Sequence, residues 1–352
     1  MTSLKDIAGQ LGVSIALVSM VLNNQGDEKG ISAETQKKVR DLAKKLNYRP
    51  NHVARSLRLG NSKTIGLIIA DISNVFYSVI AKSIEEKASQ NGYSIMFMSS
   101  GEDPEKEEEI LRVLMNKGVD GLILSTSFSD RNQLRKLRDN NIPFVLIDRY
   151  LPGVKTNYVV SANYQGAFDM TEHLLSLGHE KIALLHVTPP HLTTMKNRIL
   201  GYQEALRKNG YQGKSKLIKE IPYDNIKKNM ETALKELILV EKIDSVFFLN
   251  NKLTIAGMEV LKRLNIRIPY DISIVSFDDI DLFKFSSPTI TSVTQPKEEI
   301  GKIAFEVLLN QINNREADKQ QIVLPVKLNI RESCGSTMKK LFAEPESKSP
   351  ND

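Results

Sequence analysis

Between residues 64 and 330 the sequence alternates short, continuously apolar runs with longer amphipathic stretches, and this alternation restricts the fold more than any other feature. Continuous apolar runs are typical of strands that are buried on both faces, as in parallel sheets covered by helices. The predicted strands are TIGLIIA (64–70), YSIMFMS (93–99), VDGLILS (119–125), PFVLID (143–148), KIALLHV (181–187), DSVFFL (244–249) and ISIVSF (272–277). The pattern predicts a doubly wound α/β fold that binds ligands at the carboxyl ends of its strands.

Amphipathic stretches between these runs predict the helices that connect the strands. They are Ser78–Asn91, Lys106–Lys117, Tyr164–Leu177, Arg198–Asn209 and Thr254–Leu264. Four of them are followed by a glycine, which is typical of a helix end. Seven strands, with later ones at Thr289–Val293, Ile322–Leu324 and Lys327–Ile330, suit two parallel sheets better than one. We therefore expect two lobes with a cleft between them, the first lobe ending near Ser161.

The first 60 residues carry a different pattern, that of three short helices. In Leu4–Leu11 the apolar residues recur at i, i+3, i+4 and i+7, and Ser3 or the preceding threonine can cap this helix. Gly12 ends it, and Ser14 can cap a second helix that runs to about residue 22. A third helix is predicted at Ala33–Leu46. Two short helices joined by a glycine-containing turn indicate a helix-turn-helix.

The second of these helices is apolar on two faces. One face, with Val18, Val21 and Leu22, is expected to pack on the first helix. The opposite face is formed by Ile15, Ala16, Ser19, Met20 and Asn23. In a DNA major groove, apolar side chains on such a face can contact thymine methyl groups. The alternative is that Ile15 and Met20 pack against the rest of the protein.

Charge is concentrated at the same end of the chain. Residues 1–60 hold ten Lys or Arg against five Asp or Glu, which supplies five of the chain's six net positive charges at pH 7. A basic head on a nearly neutral body favours a polyanionic partner, and a solvated, lysine-rich surface is the alternative. The single cysteine, Cys334, excludes an internal disulfide and fits a reducing cytosol. The sequence shows no signal-peptide pattern and no membrane-length apolar run, so we expect a cytoplasmic protein without a membrane partner.

Several long motifs resemble those of the LacI/GalR family of bacterial transcriptional regulators. They are SLKDIAGQLGVSIALVSMVLNN, SAETQKKVRDLAKKLNYRPNHVARSLRLGNSKTIGLIIADISNVFY, LGHEKIALL, NRILGYQEAL, IRIPYDISIVSFDD, TSVTQP and IRESC, which occur in the family's order over about residues 2–334. The resemblance implies a DNA-binding head, a hinge helix and a two-lobed body similar to periplasmic sugar-binding proteins. It also implies a homodimeric repressor that binds a pseudo-palindromic, double-stranded operator under the control of a small effector. The predicted boundaries are 1–49 for the head, 50–61 for the hinge, 62–335 for the body and 336–352 for a disordered tail.

The hinge and the reading helix have features of their own. By the resemblance, Asn51, Ala54 and Leu57 contact DNA from a short helix in the minor groove, where Leu57 inserts between base pairs. About ten residues are too few for an independent helix, so this segment is expected to be disordered without DNA. Met20 departs from the polar or basic residue usual in the family, and the connection 25–32 (QGDEKGIS) is longer than usual. We therefore expect phosphate contacts and DNA shape to carry more of the binding.

Polar and aromatic residues that follow the predicted strands, or begin a helix, are the candidates for effector binding. They are Asn74, Phe76, Asp148, Arg149, Arg198, Tyr223, Asn250 and Asp278. The resemblance implies that Arg198, Asn250 and Asp278 bind sugar hydroxyls or a base, while Phe76 or Tyr223 stacks on a ring. Each of these residues could instead form a surface salt bridge or cap a strand end. The expected effector is a sugar, a sugar phosphate or a purine, and the sequence does not indicate whether it releases or promotes DNA binding.

Enzymatic functions find little support in the sequence. It contains no G-x-G-x-x-G, Walker A or H-E-x-x-H motif, and its five histidines form no cluster of metal ligands. We therefore predict no catalytic residue, no cofactor and no metal site. A periplasmic sugar-binding protein would have a signal peptide and no basic head. A cytosolic enzyme that modifies a sugar or nucleoside is the remaining alternative, and it would have to turn over its ligand.

Overall fold

The structure, a computed structural model, describes residues 2–48, 61–187, 192–211, 215–222 and 225–336. The predicted hinge contacts Asn51, Ala54 and Leu57, the candidate Tyr223 and the predicted tail beyond residue 336 lie outside these residues. The chain divides into two compact units, Met1–Ser62 and Lys63–Asp352, which we call the head and the body.

Within residues 2–48 the head contains three helices, α1 (Leu4–Leu11), α2 (Ile15–Leu22) and α3 (Ala33–Lys45), at the predicted positions. Their inward faces form one small core of Ile7, Ala8, Val18, Val21, Val39 and Ala43, against which Leu22 also packs. The predicted packing face of the second helix is therefore confirmed. In the described part of the chain no single helix is long and apolar enough to cross a membrane, and only α1 and α2 together, bent by 112°, reach that length and composition.

The part of the body that the structure describes contains two six-stranded sheets. Within the described ranges its strands are β1 (Thr64–Ile69), β2 (Ser94–Ser99), β3 (Gly121–Leu124), β4 (Phe144–Ile147), β5 (Asn157–Ser161), β6 (Ile182–Val187), β7 (Ile218–Ile221), β8 (Ser245–Phe248), β9 (Ser273–Phe277), β10 (Thr291–Thr294), β11 (Gln321–Leu324) and β12 (Lys327–Asn329). The strand order is β11-β5-β4-β3-β1-β2 in the first sheet and β12-β10-β9-β8-β6-β7 in the second. Neighbouring strands are parallel except for β10 and β12. The prediction of two parallel sheets is confirmed.

The helices of the body begin earlier than the apolar periodicity predicts. They are α4 (Val75–Gln90), α5 (Pro104–Asn116), α6 (Asn132–Asp139), α7 (Asn163–Ser176), α8 (Thr193–Lys208), α9 (Ile226–Glu236), α10 (Asn251–Arg263), α11 (Asp281–Phe285) and α12 (Lys297–Asn313). The prediction that Arg198 opens a helix is wrong, because Arg198 lies in the second turn of α8. The first turns of α4, α5 and α10 are set by the capping residues Asn74, Asp103 and Asn250, whose side chains accept hydrogen bonds from backbone N–H groups, whereas α7 and α8 begin without a side-chain cap.

The prediction that the first lobe ends near Ser161 is wrong. After β5 the chain builds the second lobe, but it then returns to the first, where α12 packs on α4 and β11 pairs with β5. The close approach of α12 to α4 is visible at Gly301, where an added Cβ would lie 2.7 Å from the carbonyl oxygen of Ile80. Without β11 the backbone of β5 would be an open sheet edge. The chain therefore passes between the lobes three times, and the carboxyl ends of strands from both lobes meet at one cleft.

Candidate functional site

A cavity between the two lobes of the body collects most of the predicted effector residues. From the first lobe it is lined by Asn74, Phe76, Tyr77, Glu102, Asp148 and Arg149, and from the second by Val187, Leu192, Thr194, Met195, Arg198, Asn250, Asp278 and Gln295. Seven of the eight candidates named from the sequence thus line one cavity. The eighth, Tyr223, lies outside the described residues.

Arg198 is a buried cation with only 3% of its surface exposed. Its Nε donates to Asn163 Oδ1 at 2.7 Å, and its Nη1 donates to the carbonyl oxygen of Leu249 at 2.7 Å. The guanidinium carbon lies 3.7 Å from the centre of the Phe277 ring. These contacts hold the guanidinium plane in one orientation at the wall of the cavity.

A glycine places Arg198 there. Gly201 follows it by one helical turn on α8, and an added Cβ would lie only 2.2 Å from the carbonyl oxygen of Tyr164 on α7. The two helices can therefore approach closely enough for Arg198 to reach Asn163 at the start of α7. Any larger residue at position 201 would force the helices apart.

Asp278 is the buried carboxylate of the second lobe. It directly follows β9 with φ +74°, a conformation that turns the chain out of the sheet. Burial raises the pKa of Asp278, while the nearby charge of Arg198 and a hydrogen bond from Gln295 oppose this shift. Asp278 and Arg198 form no ion pair with each other in the described structure, although the charge of each one influences the pKa of the other. Between them the cavity offers a donor and an acceptor to a polar ligand.

Gln295 adds a polar atom that lacks a partner. Its Nε2 donates to Asp278 Oδ1, while its Oε1 is buried and accepts no hydrogen bond from the described residues. A buried acceptor without a donor is destabilising by about 1–3 kcal/mol, so a ligand hydroxyl that donates to it would gain affinity. Gln295 was not predicted, although it directly follows β10 and the strand-end rule could have found it.

On the opposite wall, Arg149 is already bound by protein side chains. It forms two hydrogen bonds with Glu102, at 2.6 and 3.0 Å, and donates to the Tyr77 hydroxyl at 2.8 Å and to Asp148 Oδ2 at 3.2 Å. Burial alone would lower the pKa of Arg149, but Tyr77, Glu102 and Asp148 hold it well above its usual value. Arg149 thus acts mainly to fix Asp148, which also accepts from the Tyr77 hydroxyl at 2.8 Å. Glu102 lies in a loop three residues after β2, and nothing in the sequence indicated its pairing.

The two candidate asparagines cap helices. Asn74 Oδ1 accepts from the backbone N–H of Phe76 at 3.1 Å, and Asn250 Oδ1 accepts from that of Leu253 at 2.8 Å. These two oxygens therefore cap the starts of α4 and α10, a role that was not among the alternatives considered from the sequence. Asn74 Oδ1 also accepts from Asn251 Nδ2 of the second lobe at 3.1 Å.

Further contacts hold the lobes together around a small cavity. Lys252 of the second lobe pairs with Asp71 of the first, and the backbone N–H of Tyr150 donates to Thr193 Oγ1 at 3.1 Å. The volume of the cavity is about 40 Å³. Ligand pockets usually measure roughly 300–1,000 Å³, so a sugar can enter only if the lobes move apart. In the described part of the chain no group of three or more His, Cys, Asp or Glu is placed to hold a metal ion.

In the head, the predicted DNA-reading face of α2 is not covered by the head's own core. Ile15 is 48% exposed, Ala16 is exposed, and Ser19 and Met20 are half-buried. Asn23 Nδ2 donates to the Ser19 carbonyl oxygen at 2.7 Å, so this amide caps the end of α2. The predicted DNA-reading face is therefore apolar at the start of α2. At the end of α2, the amide of Asn23 is already used in a hydrogen bond.

Ser3 and Ser14 begin the first two helices as predicted. Ser3 Oγ accepts from the Asp6 backbone N–H at 3.3 Å, and Asp6 Oδ2 accepts from the Ser3 backbone N–H at 2.8 Å, which completes a capping box. Ser14 Oγ accepts from the Leu17 backbone N–H at 3.1 Å. Both helix starts are thus fixed, and their positive dipole ends are suited to phosphate groups.

Comparison with known proteins places the chain in a family. Residues 3–51 match the family of bacterial regulatory proteins called lacI, and residues 171–334 match the periplasmic binding protein-like domain. The chain is 35% identical over 334 residues to the ribose operon repressor of Halalkalibacterium halodurans, covering 95% of this chain and 97% of that protein. It is 34% identical over 333 residues to the transcriptional regulator RegA of Clostridium saccharobutylicum, covering 94% and 99%.

Among solved structures, the chain is similar to the Lac repressor dimer bound to operator and the anti-inducer ONPF. The TM-score is 0.82 at 26% identity, and the similarity covers 95% of this chain and 99% of that one. The helix-turn-helix head, the two-lobed body and these relatives agree. The protein belongs to the LacI family of bacterial regulatory proteins and is a DNA-binding transcriptional regulator, not an enzyme.

Proposed function

We propose that the protein is a homodimeric repressor of a pseudo-palindromic operator, and that it responds to a neutral sugar bound between the lobes of its body. The observation that supports the binding of a sugar is the arrangement of Arg198, Asp278 and Gln295 around one cavity. A sugar hydroxyl can donate to Asp278 or to the unpartnered Gln295 Oε1 and can accept from Arg198. A hydrogen bond to a charged group is worth about 1.5–3 kcal/mol.

The charges of the cavity favour a neutral sugar over a sugar phosphate. Its lining includes three carboxylates, Glu102, Asp148 and Asp278, against two guanidiniums, Arg149 and Arg198. Because Arg149 is bound by Glu102 and Asp148, the cavity has no excess of positive charge for a phosphate. A relative named for the ribose operon supports a sugar over a purine.

On DNA, the exposed face of α2 is proposed to read the major groove through Ile15, Ala16, Ser19 and Met20, with Asn23 at its end. The capped helix starts at Ser3 and Ser14 would face phosphates, and Asn51, Ala54 and Leu57 would contact the minor groove. The similarity to a repressor dimer bound to its operator supports two-fold symmetric binding of this kind.

The effector assignment is tested by ligand titration. A thermal-shift screen of the full chain against sugars, sugar phosphates and purines identifies a ligand, whose affinity is then measured by calorimetry. Asp278→Asn and Arg198→Lys should each weaken binding at least ~10-fold, because the first removes a buried negative charge and the second removes the planar guanidinium with its fixed donors. Arg207→Lys on the same helix, whose side chain is exposed and pairs with Glu204, is the matched control and should bind normally.

Two results would contradict the proposal. One is a ligand that binds Asp278→Asn and Arg198→Lys with wild-type affinity. The other is binding of sugar phosphates with no measurable affinity for the corresponding neutral sugars.

A further inference from the structure

A second cavity lies within the first lobe, at the end of the sheet opposite to the interlobe cavity. It is bounded by α6, by the residues that lead into β4 and β5 and by the chain that follows α12, and its volume is about 150 Å³. Phe144 and Asn157, the first residues of β4 and β5, line it, whereas Asp148, just beyond the carboxyl end of β4, lines the interlobe cavity. The two cavities are therefore separated by the length of the sheet and share no residue.

The lining of this second cavity is strongly basic. It includes five cationic side chains and one carboxylate, Glu316. The cations are Arg135, Arg138, Lys155, Arg315 and Lys319. Such an excess is unusual in a chain that carries only six net positive charges, five of them from residues 1–60. It makes the cavity attractive to a multivalent anion.

Protein carboxylates neutralise little of this charge. Arg138 pairs with Asp139. The Arg315 guanidinium donates to the carbonyl oxygen of Asn141, which is uncharged and therefore does not neutralise it. Arg135 and Lys155 form no ion pair with any residue that the structure describes. Two arginines from different elements, α6 and the segment after α12, thus face one cavity with donors that match the geometry of a phosphate.

Among the residues that the structure describes, a buried hydroxyl that lines the cavity has no hydrogen-bond partner. Thr156 lines the cavity with only 5% of its surface exposed, and its Oγ1 makes no hydrogen bond within the described residues. Buried hydroxyls are nearly always paired, and an orphaned one is destabilising. A phosphate oxygen at this position would accept the Thr156 proton.

We propose that this cavity binds a phosphate group, either inorganic phosphate or the phosphate of a small metabolite ester. The volume is similar to that of a cavity that holds one benzene molecule, so a phosphate with a few further atoms fits. Leu134 and Phe144 supply an apolar wall beside the cations, which suits the carbon atoms of an ester. The site would give the regulator an anion input that is independent of the interlobe sugar.

Binding of inorganic phosphate, methyl phosphate and glucose 6-phosphate to the full chain tests the proposal. Affinities are measured by calorimetry at constant ionic strength, with chloride as the balancing anion. Arg135→Gln and Lys319→Gln should each weaken phosphate binding about 10-fold, on the scale of one charged hydrogen bond. Thr156→Val, which keeps the side-chain shape, should weaken binding severalfold without lowering the melting temperature. Lys117→Gln, an exposed lysine elsewhere on the first lobe, should bind normally, as should Asp278→Asn.

The ligand series distinguishes the two sources of phosphate. Equal affinity for the three compounds would assign the site to inorganic phosphate, and tighter binding of the esters would assign it to a metabolite. Loss of binding in Arg198→Gln, but not in Arg135→Gln, would place the anion in the interlobe cavity and overturn the proposal. Equal effects of Lys117→Gln and Lys319→Gln would overturn it too, because they would indicate only general attraction of anions.

Discussion

Glu107 on α5 is a carboxyl group with none of its surface exposed. Its Oε2 accepts from the backbone N–H of Ser127 at 2.7 Å, and its Oε1 is buried without a partner among the described residues. Burial raises the pKa of Glu107 to about 7, although the hydrogen bonds from Ser127 and Thr126 oppose the shift. The group therefore changes its charge close to neutral pH, in contrast to an exposed glutamate.

This titration makes stability depend on pH in a predictable direction. The carboxyl loses its proton near pH 4.5 in the unfolded chain and near 7 in the folded one. Between these values the folded state binds more protons, so the free energy of unfolding falls as the pH rises, by up to about 3 kcal/mol. Glu107→Gln should remove this fall and be more stable than wild type at pH 8. Urea unfolding from pH 5 to 8 measures the difference, with the exposed Glu109→Gln on the same helix as control, and a variant profile parallel to that of wild type would contradict it.

For single residues, the sequence predicts which ones lie at the cleft but not which side chains bind each other. Asp148 and Asp278 directly follow buried strands, so the sequence places both at the cleft, and both have a positive φ of 66° and 74°. That Glu102 would bind Arg149 could not be predicted, because it depends on how two loop residues 47 positions apart come together. Gln295 directly follows β10, so its position was predictable in the same way, whereas its hydrogen bond to Asp278 was not.

Among the elements, the connection between α2 and α3 shows how the head accommodates its additional residues. Gln36, on the first turn of α3, is buried and donates through Nε2 to Asp27 Oδ1 at 2.8 Å and to the carbonyl oxygen of Ile31 at 2.9 Å. Gly26 lies against this side chain, and an added Cβ would be 2.4 Å from Gln36 Cδ. One glutamine thus fixes the long connection to the third helix.

Two glycines of the head should respond in opposite directions to alanine. Gly26→Ala should destabilise the head by about 1–3 kcal/mol, because the methyl group displaces Gln36 from its partners. Gly9→Ala, in the middle of α1 with open space around it, should stabilise the head by about 0.5–1 kcal/mol. Hydrogen exchange of the head amides in the full chain measures both effects. Faster exchange in Gly9→Ala, or unchanged exchange in Gly26→Ala, would show that these local contacts do not control the stability of the head.

The prediction of elements failed where burial is partial or the polar content is high. The β7 strand (IKEI) lies at a sheet edge with three of its four residues partly or fully accessible, so it presents no continuous apolar run. The β5 strand (NYVVS) begins and ends with polar residues, and the first of them, Asn157, accepts a hydrogen bond from the backbone N–H of Gln320. The return of α12 and β11 to the first lobe could not be predicted either, because periodicity shows what a segment forms and not which lobe it joins.

At the scale of the whole molecule, the lobes of the body are the part that an effector can act on. They are held together by Asp71 with Lys252, Asn74 with Asn251 and Tyr150 with Thr193 around a cavity smaller than a sugar. A ligand shifts such an equilibrium only by the difference in its affinity for the two states. Under the proposed function, a sugar that requires wider separation, or that adds contacts across the cleft, would change the balance of lobe arrangements and with it the affinity for DNA.

Operator affinity with and without sugar tests most directly whether the interlobe cavity controls DNA binding. The operator is first selected from random double-stranded DNA with the full chain, and its affinity is measured by fluorescence anisotropy. The sugar found by calorimetry should change the wild-type affinity by about 5–150-fold, the usual range of coupling between two sites. Asp278→Asn should bind the operator like wild type without sugar and show no change at the same sugar concentration. An Asp278→Asn variant that responds like wild type, or a wild-type protein whose operator affinity ignores a sugar that it binds, would contradict control through this cavity.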